Sequence, residues 1–138
     1  MGEVIVDVVI ENAFDAHLAR TGQLADGNIR RRSTQALVDT GATELMLPEQ
    51  MVEDLGLDLV SSTIVEYADG RLPDRPIATF ASLTVLGRTR TFDCVVGERG
   101  TLPLIGQVVL ESLDLLVDCK RQRLLPRPES PDLPLHRA

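Results

Sequence analysis

Ala36-Leu37-Val38-Asp39-Thr40-Gly41-Ala42 decides the reading of this chain: three apolar residues run into a carboxylate, a hydroxyl, a glycine and an alanine. A strand through Ala36, Leu37 and Val38 carries Asp39 out of packed core into a turn, where Gly41 permits close backbone approach or a positive φ. Read this way, the acid is partly desolvated and rigidly aimed. Two carboxylates brought together in such a setting titrate as one acid and one base, the pair that activates water. Asp, Thr and Gly are also common turn formers, so the tripeptide alone describes an ordinary solvated turn equally well. The remainder of the chain has to choose.

At 138 residues the chain is one domain. Only 3% of it is aromatic and it has no Trp, so Val, Leu, Ile and Ala must build a sheet-rich interior. A net charge of −7 argues against nucleic acid or an anionic membrane as partner, since phosphate binding needs clustered Lys and Arg. Arg30-Arg31-Arg32 is the only basic run and reads as a solvated loop before a strand. No apolar run approaches the roughly 18 residues of a membrane helix, and Met1-Gly2-Glu3 starts no signal peptide, so a cytoplasmic location is expected. Cys94 and Cys119 are then expected as two reduced, buried thiols. His17 and His136 share no ligand spacing with them, and neither a metal nor a cofactor is expected.

Val4, Val6, Val8 and Ile10 alternate with a mixed face of Ile5, Asp7, Val9 and Glu11, the period of a strand. From Asn12 to Ser33 the pattern fails, which predicts a long surface connection with a helical turn near Ala16 to Ala19. Beyond the motif, Leu45-Met46-Leu47 reads as buried. Pro48 opens a short helix that presents Met51, Val52 and Leu55 inward and that Gly56 caps. Thr63 to Pro73 holds Asp69-Gly70 between strand-like arms, a projecting hairpin with little core to bury. Ile77 to Leu86 and Thr89 to Val96 form a second hairpin around Gly87-Arg88. Leu102-Pro103-Leu104-Ile105-Gly106 leads into a helix over Gln107 to Ser112, and a closing hairpin joins Leu115–Cys119 to Arg123–Pro126. Pro126, Pro128, Pro131 and Pro134 then punctuate a tail without regular structure, free or clasped to a partner.

This order of elements resembles the retropepsin-like aspartic proteases over Val4 to Pro126, most specifically at Leu37-Val38-Asp39-Thr40-Gly41-Ala42 and Leu104-Ile105-Gly106. The resemblance implies an all-β fold with one or two short helices, a half-barrel whose active site forms at a homodimer two-fold. It divides the chain into a protease domain, 1–126, and a proline-rich tail, 127–138. It further implies an aspartic endopeptidase, a hydrolase that acts on peptide or protein substrates. Asp39 takes the place of the catalytic carboxylate and Thr40 that of the hydroxyl bracing the paired loops. Gly41 stands where a carbonyl meets the substrate backbone, with Ala42 and Thr43 beside it at the cleft wall. Tyr67, Ala68, Asp69 and Gly70 correspond to the flap tip, and Ile105 and Gly106 support the catalytic loop. Thr43 and Gln107 replace the acid and base that usually interact there in retroviral members. The chain holds a single Asp-Thr-Gly, so two copies are required to furnish two aspartates. The competing expectation is a non-catalytic dimer of the same fold that binds peptides or aids assembly.

Overall fold

The computed structural model describes residues 3–138; Met1 and Gly2, where the signal-peptide expectation begins, lie outside them. The strand β1 (Val4–Asn12) buries Val4, Val8 and Ile10 on one face, as its alternation predicts, and leaves Ile5 exposed on the other. It pairs antiparallel with β2 (Arg31–Val38) along one edge and, through Val9 to Asn12, with β5 (Asp74–Val85) along the other. β3 (Leu45–Pro48) lies parallel to β6 (Arg88–Gly97), and the two-residue β7 (Leu104–Ile105) fits between β2 and β3. The ring β1-β2-β7-β3-β6-β5 closes on itself as a six-stranded barrel, with β4 (Asp58–Ile64) added outside as an edge strand on β5. Closure removes the open edges that an antiparallel sheet otherwise exposes. The fold is therefore all-β with short helices. No helix among the described residues is long and apolar enough to cross a membrane.

The core is aliphatic. Ile10, Leu45, Leu47, Leu55, Leu83, Ile105 and Leu113 have almost no exposed surface, and each contributes on the order of 1.5–3 kcal/mol through burial. The helix α2 (Glu49–Leu55) turns Val52 and Leu55 into this core, follows Pro48, and ends at Gly56 with φ 62°, a left-handed cap that glycine adopts without steric cost. In α3 (Gln107–Leu113), Val109, Leu110 and Leu113 are buried while Val108 faces outward.

Residues 12–33 hold more regular structure than the surface connection with one helical turn near Ala16 to Ala19 that the sequence suggests. They hold the helix α1 (Ala13–Arg20), capped by Asn12, whose side chain accepts a hydrogen bond from Asp15 N at 2.9 Å and donates to Leu55 O at 2.8 Å. Asp15 in turn takes three hydrogen bonds from Arg30, at 3.1 Å from its backbone N and 2.8 and 2.9 Å from its guanidinium. These bonds hold the Asp15 carboxyl below the usual carboxylate range. Arg31 pairs with Glu11 and Arg32 with Asp54, so all three arginines of the basic run are compensated within the chain.

Three further details depart from expectation. The β5–β6 turn centres on Leu86-Gly87, both with positive φ, rather than on Gly87-Arg88, and Arg88 is buried. Cys94 is buried and its thiol is pushed up to about 12 by desolvation, whereas Cys119 lies exposed in the turn between β8 (Leu115–Asp118) and β9 (Arg123–Pro126). The tail is neither free nor extended away. Buried Arg88 donates to Leu113 O and Asp114 O, each at 2.9 Å, and also to Ser130 O. Asp114 accepts from Ser130 Oγ at 2.5 Å and Leu135 N at 2.9 Å, with Arg127 Nε a further 2.5 Å charge contact off the hydrogen-bonding direction. The proline-rich segment thus closes over the end of α3 in its own chain.

Candidate active site

The chain passes from β2 to β3 around the end of β7, and Asp39 sits at the start of that passage. The path is fixed by backbone hydrogen bonds. Leu37 N donates to Pro103 O at 2.8 Å and Asp39 N to Ile105 O at 3.0 Å, which anchors both sides of the last β2 residue. Ala42 N closes the turn onto Asp39 O at 3.1 Å, and Gly41 N donates to Asp39 Oδ1 at 2.9 Å, a side-chain-to-backbone turn that orients the carboxylate. A Cβ on Gly41 would stand 3.2 Å from that same oxygen.

Beneath the turn lies Gly106. A Cβ there would meet Glu44 O at 2.5 Å, the Thr43 carbonyl carbon at 2.6 Å and Ala42 O at 2.8 Å, all backbone, so only glycine fits. The helix α3 begins at this point, and its first N–H groups, which have no partner inside the helix, go to the turn: Gln107 N to Ala42 O at 2.8 Å and Val108 N to Thr43 O at 2.9 Å. Asp39 to Thr43 and Ile105-Gly106 therefore form one rigid unit.

Asp39, Thr40 and Gly41 are exposed, which differs from the desolvated acid read from the sequence. The physical reason is geometric: the strand ends are packed, but the turn faces outward and nothing among the described residues covers it. Among the described residues the Thr40 hydroxyl makes no hydrogen bond, and no group of three His, Cys, Asp or Glu side chains is placed to hold a metal ion.

Tyr67, Ala68, Asp69 and Gly70 form the turn between β4 and β5, closed by Gly70 N to Tyr67 O and Tyr67 N to Arg71 O, both at 2.9 Å, with Gly70 at φ 88°. The structure joins this tip to the loop after β6 rather than to the 39–43 turn. Arg71 reaches Asp69 at 2.7 Å and Glu98 at 2.9 Å, and its guanidinium lies 4.7 Å from the centre of the Tyr67 ring. Hydrogen bonds from the Arg71 backbone and side chain hold the Asp69 carboxyl below its ordinary range. These pairs are exposed, so each contributes little to stability. Sequence reasoning singled out neither Arg71 nor Glu98. Asp69, two residues before Arg71, is a local signal for the first; Glu98 carries none.

A closed aliphatic barrel with an Asp-Thr-Gly turn locked between a strand end and a helix start defines a retropepsin-type protein. Residues 25–112 match the family described as gag-polyprotein putative aspartyl protease, and this match spans the motif, the hairpin and Gly106 and covers more than half of the chain. The chain belongs to that family. A search of curated proteins finds no match for it.

Proposed function

We propose that the chain is an aspartic endopeptidase that works as a homodimer, with one Asp39 from each copy at the two-fold. The observation that carries this reading is the locked turn: Asp39 is aimed outward by Ile105 O and Gly41 N on a closely packed, hydrogen-bonded unit, yet no described residue covers it. An exposed acid on a rigid mount suits a site completed by a second surface. The Thr40 hydroxyl, which makes no hydrogen bond among the described residues, supports the same reading, as a group placed to bond across the two-fold.

Two carboxylates at close range share one proton and titrate as a pair. The ionised member takes a proton from water as the oxygen attacks the peptide carbonyl; the protonated member donates toward the developing oxyanion. The tetrahedral species then collapses as the carboxyl that took the water proton passes it to the leaving nitrogen, and no covalent enzyme intermediate forms. Acid–base assistance of this kind contributes typically about 10² to 10⁴ in rate. The Gly41 carbonyl, with Ala42 and Thr43 beside it, receives an extended peptide, and the Tyr67–Gly70 tip covers it and excludes water.

The test is cleavage of a diverse peptide library by the wild type and by Asp39→Asn, at concentrations that favour dimers. Cleavage that disappears in a folded Asp39→Asn dimer supports the assignment. Cleavage that persists in the variant refutes it, and no cleavage by a verified wild-type dimer favours the binding module instead.

A further inference from the structure

An open cleft of about 770 Å³ lies between α1, α2 and the start of β4, lined by Phe14, Val52, Leu59 and Phe80 together with the carboxylates Glu53 and Asp58. It shares no residue with the 39–43 turn, the 67–71 tip or Ile105-Gly106. Phe80 stands at φ 63°, in the left-handed region that bulky side chains avoid. It marks the place where one edge of β5 passes from β4 to β1 and where the β5–β6 register shifts. A barrel corner of this kind calls for a bulge, and bulges re-aim side chains, but nothing in the bend calls for an aromatic. Phe80 is 45% exposed and its ring stacks on that of Phe14, itself 52% exposed, with centroids 6.2 Å apart. Two of the three phenylalanines in the chain thus stand on this surface, one of them held there in an unfavourable conformation.

Beside them runs the outer edge of β4, which no strand among the described residues covers, with Leu59 and Val60 more than half exposed. An edge of this kind binds extended segments through main-chain hydrogen bonds, with pockets reading alternate side chains. Charge selects the occupant. The cleft lining holds Glu49, Glu53 and Asp58 against one guanidinium, that of Arg75, whose Nε and Nη2 already donate to Val96 O and Gly97 O. Glu49 and Glu53 share Arg99, while Asp58 has no ion-pair partner among the described residues. A second copy paired antiparallel on β4 would bring one acidic cleft to another, and the chain's own tail is held over α3 by Arg88 and Asp114. We propose that this cleft and the β4 edge dock an extended segment of another protein, in which apolar side chains are flanked by lysine or arginine.

The proposal does not depend on peptide cleavage, and the test uses the full-length Asp39→Asn variant to keep the probe intact. The probe is a fluorescein-labelled peptide Lys-Val-Phe-Val-Phe-Val-Lys, read by anisotropy, beside the same peptide with Glu at both ends. The expected result is saturable binding of the Lys-flanked peptide that weakens at least about fivefold in Phe80→Gly, the loss typical of a truncated aromatic anchor. Urea denaturation should show Phe80→Gly to be as stable as its parent or more so, because glycine tolerates φ 63°. Asp58→Lys should reverse the preference toward the Glu-flanked peptide. Equal binding of the two peptides, no saturable binding, or binding unmoved by Phe80→Gly and Asp58→Lys would overturn the proposal. So would loss of binding on Thr43→Arg alone, which would put the peptide at the Asp39 turn, or self-association that Phe80→Gly abolishes, which would make a second copy the occupant.

Discussion

Replacing Gly106 by alanine adds one methyl group at the point where the Asp39 turn rests on α3. Its φ of −97° suits any residue, so the backbone conformation carries no penalty and the whole effect is steric. The added Cβ would lie 2.5, 2.6 and 2.8 Å from three backbone atoms of residues 42–44, well inside contact distance, and none of these atoms can rotate away as a side chain could. Relief requires moving the turn off the helix start, which lengthens the bonds from Gln107 N to Ala42 O and Val108 N to Thr43 O. Overpacking costs about 1–3 kcal/mol and each weakened hydrogen bond about 0.5–1.5 kcal/mol. The sum, roughly 2–6 kcal/mol, is a large share of the 5–15 kcal/mol typical of a domain. Urea denaturation at fixed protein concentration should show the loss as a lower midpoint. Gly22→Ala is the matched control: it sits at φ 79° with nothing within 4 Å of its Cβ, so it should lose only about 1–2 kcal/mol from left-handed strain. A Gly106→Ala loss no larger than that of Gly22→Ala would refute the packing argument.

Truncation after Pro126 removes the Ser130 acceptor from buried Arg88, and a lost hydrogen bond to a charged group costs about 1.5–3 kcal/mol; a lower melting temperature of the truncated chain checks this, and an unchanged one refutes the clasp. Asp15 and Asp114 both have depressed carboxyl pKa values, the first chiefly through Arg30 and the second chiefly through Ser130 Oγ. The stability they confer is therefore complete above the unfolded carboxylate value of about 3.9 and is lost as pH falls through the lower folded value. Asp15→Asn should flatten the acid limb of stability plotted against pH, measured by denaturation between about pH 2 and 6. A thiol-specific chromophore should titrate Cys119 alone in the native protein and Cys94 only after denaturation, since burial raises the Cys94 thiol to about 12.

Much of the fold was legible because its signals are local. The alternation of Val4 to Ile10 gave β1, the pair Pro48 and Gly56 bounded α2, and Asp69-Gly70 placed a turn where the structure has one. What stayed hidden depends on partners distant in sequence. The helix α1 rests on Asn12 reaching Leu55 and on Asp15 reaching Arg30, and neither partner is visible from a weak periodicity interrupted by Gly22 and charged residues. The tail looks free because proline forbids regular structure, yet Ser130 and Leu135 satisfy Arg88 and Asp114 at separations of 42 and 21 residues. At the site, the family resemblance at Leu104-Ile105-Gly106 implied a support for the Asp39 turn, and the structure packs Gly106 against residues 42–44. The exposure of the turn was not legible, because burial of a turn depends on what covers it rather than on the strand that delivers it.

The central claim is that two copies of Asp39 form one acid–base pair, and mixing wild-type subunits with an excess of Asp39→Asn tests it most directly. Subunit exchange is allowed to reach equilibrium, the dimer content is confirmed by sedimentation, and cleavage of the selected peptide is measured against the wild-type fraction and across pH. The predicted result is activity that follows the square of the wild-type fraction and falls at high pH as the shared proton is lost. Activity proportional to the fraction itself, or a rate still rising through about pH 9, where both carboxylates are ionised, would contradict the account.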